Sequence, residues 1–208
     1  MDTPRHVEIE IKLRLESFTD YLKLIGFLGS IEAEKHHESG FFDSEDRQLA
    51  AAGWVLRVRA ETDRGLITVK SAGSGEDGMA VIREEIEAEV DRGTALELLG
   101  GFAVLSELDV EPLRFLRRSF PDLRPIKILQ FQNERQLKHF RMGDYDYLLE
   151  IDKTTFADGS VDYELEVEVP QQDQLETVQD RLRKIFDSLD IPFEKQSKSK
   201  FERALERA

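Results

Sequence analysis

Near its start the chain reads Val7-Glu8-Ile9-Glu10-Ile11-Lys12-Leu13-Arg14-Leu15. Apolar and charged residues alternate here without exception, which predicts a β-strand buried on one face only. The charged face carries two acids followed by two bases. A strand face that meets only water usually carries a mixed, interchangeable set of polar residues. The ordered charges therefore indicate that this face meets a ligand.

The same kind of segment recurs along the chain and predicts about eight strands. The extended segments are residues 7–15, 31–43, 54–61, 66–71, 81–90, 126–139, 145–155 and 161–169. Helices are predicted from Ser17 or Thr19 to about residue 28, across the middle of the chain over 92–122, and over 171–189. Most connections between strands are short, so neighbouring strands are expected to be antiparallel. Eight antiparallel strands can close into a barrel, which removes exposed sheet edges.

Length and composition narrow the class of protein. The chain has 208 residues, no domain boundary is evident, and a single domain over 1–208 is predicted. Cysteine is absent, so neither a disulfide framework nor thiol chemistry is expected. The formal net charge of -14 argues against non-specific binding to nucleic acid or to anionic membranes. No apolar run or leader-like segment stands out, so a soluble cytoplasmic protein is expected. An anionic ligand would need a local basic cluster or bound cations.

The charged strand faces are predicted to line the inside of the barrel. If the apolar faces pointed inward, the helices would have only ladders of charge to cover. An open sheet with a solvated charged face is the alternative, since alternating strands commonly face water on one side. Two features favour the barrel. Several strand faces carry unbroken runs of acids, and like charges side by side would repel on a plain surface strand. The acidic and basic residues are also segregated from each other. The fold prediction is therefore α+β, an eight-stranded antiparallel closed β-barrel, or tunnel, with a charged lumen and helices packed on its outside.

The segregated charges predict the chemistry of the ligand. Bases gather as Lys12, Arg14, Arg57, Arg59, Lys70, Arg83 and Arg135. Acids dominate the start of the first strand, the strand after Arg83 with Glu85 and Glu87, and the last two strands. Carboxylates on rigid strands suit hard cations such as Mg²⁺ or Mn²⁺. Converging Arg and Lys suit phosphate oxygens, so a metal-bound polyphosphate is expected.

At this point the residues resemble a known family. The Glu8-x-Glu10-x-Lys12 pattern is similar to the signature of the CYTH superfamily, also called triphosphate tunnel metalloenzymes. Later features follow in the family's order: Phe41-Phe42-Asp43-Ser44, Leu56-Arg57-Val58-Arg59, Lys70, Arg83, Arg135, Glu150-Ile151-Asp152, Glu164-x-Glu166-x-Glu168 and Ser197-Lys198-Ser199-Lys200-Phe201. The spacing looks closest to stand-alone bacterial and plant inorganic triphosphatases.

The resemblance implies roles for these residues, all of them expectations. The implied metal ligands for Mg²⁺ or Mn²⁺ are Glu8, Glu10, Glu166 and Glu168. The implied phosphate ligands are Lys12, Arg57, Arg59, Lys70, Arg83, Arg135 and Lys200, and Arg14 joins them from the charge pattern. Catalysis is expected from Lys12, Arg57, Arg59 and Glu168. Supporting roles are expected for Glu85, Glu87, Glu150, Asp152 and Glu164. Which pair on the last strand binds metal is left open.

Three functions are compatible with this pattern. The first is metal-dependent hydrolysis of a triphosphate, with inorganic tripolyphosphate as the main expected substrate and thiamine triphosphate among the others. The second is a class IV adenylyl cyclase, which would make cyclic AMP from ATP. The third is a polyphosphate-binding module without catalysis. A homodimer is left open, and no nucleic-acid or membrane partner is expected.

His36 and His37 need separate mention. They lack the His-Glu-x-x-His spacing of helical zinc sites. Both are therefore predicted to be exposed strand histidines.

Overall fold

The computed structural model describes residues 6–71, 75–77 and 80–208, and the side chains of 6–8, 75–77 and 80–83 lie outside its described part. Two predicted site residues, Glu8 and Arg83, are therefore placed by their backbone alone. Among the described helices, none is long and apolar enough to cross a membrane.

The described part of the chain contains ten strands and six α-helices. The strands are β1 (His6–Leu15), β2 (Ala33–Asp43), β3 (Trp54–Ala60), β4 (Gly65–Ser71), β5 (Gly75–Asp77), β6 (Ala80–Val90), β7 (Ile126–Met142), β8 (Tyr145–Thr155), β9 (Val161–Glu168) and β10 (Glu194–Lys195). The helices are α1 (Phe18–Leu28), α2 (Gln48–Ala51), α3 (Arg92–Gly100), α4 (Glu111–Ser119), α5 (Leu175–Ser188) and α6 (Lys200–Leu205). Short 3-10 helices cover Leu105–Glu107 and Gln172–Gln174.

All described strand pairs are antiparallel and belong to one sheet. Its order is β10-β1-β9-β8-β7-β2-β3-β4-β6-β5, and β1 also pairs with β6 from His6 opposite Glu85 to Ile11 opposite Ala80. An α+β fold with an antiparallel sheet and several helices is therefore confirmed. The prediction of about eight strands omitted the short strands β5 and β10. The segment 92–122 is a pair of helices with a 3-10 turn between them.

The apolar faces of the strands lie beneath the helices. Ile11, Leu13 and Leu15 of β1 are buried in one core together with residues of β8, β9, α1 and α5. A second core joins Leu56 and Val58 of β3 to residues of β4, α3 and α4. Because side chains alternate along a strand, the charged residues of β1 and β3 must point to the other side of the sheet.

Asp43 explains one of the quoted motifs structurally. It ends β2, is buried, and its carboxylate accepts hydrogen bonds from the backbone N–H groups of Ser44, Leu49 and Ala50. These contacts hold α2 against the end of β2. The Phe41-Phe42-Asp43-Ser44 motif therefore shapes the chain beside the site without supplying a charge to it.

Gly65 lets α3 approach the sheet. A Cβ atom added there would lie 2.5 Å from the side chain of Ala95 and 2.9 Å from that of Val90. We expect Gly65→Ala to lower the free energy of unfolding by about 1–3 kcal/mol, because helix and strand must move apart. Gly26→Ala is the matched control: a Cβ there meets nothing within 4 Å, and alanine in a helix should stabilise by up to about 1 kcal/mol. Urea unfolding measures both, and equal effects of the two substitutions would contradict the prediction.

Candidate active site

The charged strand faces surround a cavity of about 740 Å³. As many basic as acidic side chains line it. The basic ones are Lys12, Lys35, Arg57, Arg59, Arg64, Lys70, Arg135 and Lys200, and the acidic ones are Glu10, Glu61, Glu85, Glu87, Glu150, Glu166, Glu168 and Glu202. A cluster of aromatic side chains, Phe41, Phe131 and Phe201, also contributes to the lining.

Arg135 is the centre of a buried ion network on one wall. Its Nε lies 2.7 Å from Oδ1 of Asp152, and its Nη2 lies 2.6 Å from Oδ2 of the same carboxylate. The guanidinium also donates to Glu150 and Glu166. The Asp152 side chain is 0% exposed, so its charge depends on these partners. This paired, two-point contact is the strong geometry of an Arg–carboxylate pair.

Glu166 brings three cations together. Its Oε1 lies 2.6 Å from Nζ of Lys12 and 3.0 Å from Nζ of Lys200, while its Oε2 accepts from Arg135. Lys200 also lies 2.7 Å from Oδ2 of Asp152 and binds Glu164. Strand register explains the meeting, because Glu166 lies opposite Lys12 on β1 and opposite Glu150 on β8. We call Lys12, Arg135, Glu150, Asp152, Glu164, Glu166 and Lys200 the paired wall.

Helix α6 delivers Lys200 to this wall. Ser199 caps the helix by accepting from the N–H of Glu202, whose side chain accepts from the N–H of Ser199 in return. The next residue, Phe201, packs its ring 4.9 Å from that of Phe41. Arg203 lies 2.8 Å from Glu164, which ties the helix to β9 as well. The closing lysine segment is therefore an ordered element of the cavity.

The pKa shifts of four members of the paired wall favour their charged forms. Burial raises the pKa of the Asp152 and Glu166 carboxyls, but the cations beside them outweigh it and hold both pKa values below their usual range. Burial likewise lowers the pKa of Arg135 and Lys200, and their carboxylate partners overcome it and raise both. Glu150 is different, since burial raises its pKa above the usual value. The wall is thus an internally compensated network of ions.

Arg57 and Arg59 face the cavity with far weaker pairing. The Nη2 of Arg57 lies 3.6 and 3.9 Å from the carboxylates of Glu87 and Glu85. Arg57 donates to the hydroxyl of Thr68, and its buried Nε has no hydrogen-bond partner among the described residues. Arg59 donates to Ser39, and its Nη1 is 3.8 Å from Glu61. We call Arg57 and Arg59 the open cations.

The electrostatics of Arg59 favour an anion beside it. Burial, together with the neighbouring charges of Arg57 and Arg135, lowers its pKa to about 10. The positive charges near Arg59 therefore outweigh the negative ones. A phosphate group between the open cations would supply that charge, and Arg matches phosphate oxygens with paired N–H donors.

Two sets of carboxylates could hold a metal ion. Oxygens of Asp152, Glu164 and Glu166 all lie within 4.8 Å of one another, so this buried cluster could bind one. Four cations already neutralise it, however. Glu10 and Glu168 lie directly opposite each other on β1 and β9, both line the cavity, and Glu168 is exposed. Glu10 already pairs with Lys12 at 3.0 Å, but one lysine does not neutralise two facing carboxylates, and their oxygens are ligands that Mg²⁺ or Mn²⁺ accepts. This second pair fits a hard divalent cation better.

Most of the predicted site residues meet at this cavity. Those that line it are Glu10, Lys12, Arg57, Arg59, Lys70, Glu85, Glu87, Arg135, Glu150, Glu166, Glu168 and Lys200. Asp152 and Glu164 are buried behind the lining and bind its cations. Arg14 is exposed and is not among the lining residues, because it lies near the end of β1. The side chains of Glu8 and Arg83 lie outside the described part, and the backbone places them opposite each other on β1 and β6. The roles of all these residues stay predictions.

The prediction of an exposed His37 is wrong. Its side chain is only 1% exposed and borders the cavity, whereas His36 is exposed as predicted. Lys35, Glu61 and Arg64 line the same region and are not among the predicted site residues. The sequence contains one sign that His37 is buried. His37 and Phe41 lie on the same face of the strand, so alternation places both on the inside or both on the outside.

Comparison with known proteins agrees with this geometry. Residues 6–204 match the CYTH domain. The chain belongs to the CYTH domain family. The resemblance noted in the sequence is thereby confirmed, and it covers almost the whole chain.

Solved structures share the CYTH fold of this chain. HpAC1 from Hippeastrum, described as a candidate adenylyl cyclase with a dominant triphosphatase activity, is 24% identical with a TM-score of 0.81 over 96% of each chain. A candidate adenylate cyclase from Bacillus halodurans is 20% identical with a TM-score of 0.71, over 96% of this chain and 97% of that one. The PH1819 protein from Pyrococcus horikoshii OT3 is 18% identical with a TM-score of 0.60, over 96% and 99%. None of the curated proteins compared with the chain matches it.

Proposed function

We propose that this CYTH protein is a metal-dependent triphosphatase that hydrolyses the terminal phosphoanhydride bond of triphosphates, with inorganic tripolyphosphate as the main substrate. The observation that carries the proposal is the pair of open cations, Arg57 and Arg59, which are half-buried in the cavity wall and whose ion pairs with described carboxylates are 3.6 Å or longer. The triphosphatase activity described for HpAC1 supports the same reaction. We further infer one domain over 1–208 whose eight longer strands close into a tunnel, which the pairing of β1 with both β9 and β6 supports.

The residues suggest a division of labour. Arg57 and Arg59 bind the phosphoryl group that is transferred and stabilise the charge that develops on it. Lys12, Lys70, Arg135 and Lys200 hold the remaining phosphates. Ion pairs within the paired wall hold its lysine and arginine side chains in position, so these side chains need not rearrange when the substrate enters. Water attacks the terminal phosphorus, the bond to the bridging oxygen breaks, and orthophosphate and diphosphate leave.

A divalent metal would be held by Glu10 and Glu168, with Glu8 two residues before Glu10 on the same strand. When bound, such an ion supplies positive charge to the phosphate oxygens and lowers the pKa of water. We assign Glu166 to the network of the paired wall, because its two oxygens already accept from Lys12, Lys200 and Arg135. Mg²⁺ and Mn²⁺ both accept carboxylate ligands.

The test is phosphate release by the purified chain. Tripolyphosphate, thiamine triphosphate and ATP are each supplied with Mg²⁺ or Mn²⁺, and EDTA serves as the control. We expect phosphate release that EDTA abolishes, and that is fastest with tripolyphosphate. Release no greater than that of the Glu10→Ala variant would refute the proposal.

Cyclic AMP formation is the second candidate function. Two of the similar structures are described as candidate adenylyl or adenylate cyclases. Cyclic AMP and phosphate are therefore measured in the same ATP reactions. Cyclic AMP without phosphate release would replace the triphosphatase by a cyclase, and tight binding of tripolyphosphate without turnover would favour a binding module.

A further inference from the structure

His37 is a buried polar side chain that makes no hydrogen bond to the described residues. Neither Nδ1 nor Nε2 of its ring has a hydrogen-bond partner among the described residues. The nearest acid is Glu61, with Oε1 at 3.5 Å from Nε2. A buried donor or acceptor that makes no hydrogen bond is costly to folding. The unused ring nitrogens therefore point to a ligand group that completes them.

The surroundings of His37 keep its ring neutral. Burial, together with the charges of Arg59 and Arg135, lowers its pKa to about 2. A neutral imidazole retains one N–H donor and one acceptor nitrogen. The ring borders the cavity, and no described hydrogen bond commits either nitrogen to a protein group.

The lining of the cavity differs between the two ends of strand β3. Along its inner face come Val55, then the open cations Arg57 and Arg59, and Glu61 follows just after the strand ends. At the Val55 end the aromatic side chains Phe41, Phe131 and Phe201 add an apolar surface beside Lys70, which lies opposite Val55 on β4. At the other end the lining is polar and charged, with Lys35, His37, Glu61 and Arg64. The two ends therefore suit different groups of one ligand.

We propose that His37 is a specificity-determining residue that donates a hydrogen bond to the terminal phosphoryl group of a bound polyphosphate, so that the cavity selects chains ending in a free phosphoryl group. The terminal group lies at the charged end beside Arg59. Any organic substituent points towards Val55. This inference rests on the proposed function, because it assigns an orientation to the polyphosphate in the same cavity.

The experiment compares a linear with a cyclic triphosphate. Tripolyphosphate has terminal phosphoryl groups, whereas trimetaphosphate has the same three phosphates and no terminal one. Calorimetry in Ca²⁺-containing buffer measures the affinity of the full chain for each. We expect His37→Phe to weaken tripolyphosphate binding by roughly 10- to 100-fold, which is the usual effect of losing a hydrogen bond to a charged group. Trimetaphosphate binding should change less than twofold, and His37→Gln, which keeps a donor, should recover most of the tripolyphosphate affinity.

A spectroscopic measurement on the unaltered protein covers the case in which His37→Phe does not fold. In protein labelled with ¹⁵N-histidine, the ring signals that His37→Gln removes should shift with tripolyphosphate and stay in place with trimetaphosphate. Equal losses of affinity for both ligands, or unshifted ring signals, would overturn the role of His37. If the unaltered chain neither binds tripolyphosphate nor releases phosphate from it, the proposed function fails as well. If it does both and His37→Phe behaves like the unaltered chain, only the assignment of His37 fails.

Discussion

Replacing Arg135 by methionine should lower the free energy of unfolding by about 3–5 kcal/mol, the usual cost of breaking a buried ion pair from one side. The guanidinium binds Glu150, Asp152 and Glu166 at once. Without it, Asp152 keeps a fully buried charge with Lys200 as its remaining described ion-pair partner. Urea unfolding at neutral pH measures the effect.

Two further variants test the reason for this loss. Arg118→Met removes an exposed arginine that pairs with Glu111 at 2.8 Å, and it should cost no more than about 1 kcal/mol. Adding Asp152→Asn to Arg135→Met should restore part of the stability, because it removes the stranded charge. A loss for Arg135→Met as small as that for Arg118→Met would show that the paired wall does not depend on its central arginine.

Replacing Arg59 by glutamine should separate activity from stability. Phosphate release from tripolyphosphate should fall by roughly 10²- to 10³-fold, because a positioned donor to the developing charge is lost. The free energy of unfolding should stay the same or rise. Arg59 is buried beside Arg57 and Arg135, and its one described carboxylate contact is 3.8 Å long, so its removal relieves repulsion between cations.

The measurements are steady-state kinetics with tripolyphosphate and urea unfolding of the same preparation. Arg117→Gln, on the outer helix α4, is the control for the loss of one positive charge and should change neither quantity appreciably. A loss of stability in Arg59→Gln comparable to that in Arg135→Met would place Arg59 in the compensated network and remove the distinction between the two kinds of cation.

Alternation along the strands was a reliable guide to which side chains share a face. It separated Ile11 and Leu13, which are buried under helices, from Glu10 and Lys12, which line the cavity. It could not tell how far along a strand the cavity extends. Arg14 follows Lys12 with the correct period and yet lies outside the lining, because depth along the strand depends on the ends of the neighbouring strands.

His37 shows a second limit. Its place on the same strand face as Phe41 is a weak local sign of burial, and the neighbouring His36 differs from it only in strand face. Its environment comes from residues far away in the chain: Asn133 lies opposite it on β7, and Arg59 and Arg135 lower its pKa. Burial of a polar residue is therefore decided by partners that only strand register brings close.

By itself, the sequence determined the antiparallel α+β class, the family and most of the charged residues that meet at one cavity, because period-two alternation and residue order are local properties of the chain. Only the tertiary structure decided how those charges are used. Arg57, Arg59 and Arg135 look alike in sequence. Register places Arg135 among three carboxylates and leaves Arg57 and Arg59 with distant ones. The free energy of a buried charge depends on neighbours within a few ångströms, and those neighbours come from other strands. The opening strand predicted a charged face around a ligand, and its register against β9 set Glu10 opposite Glu168 and Lys12 opposite Glu166.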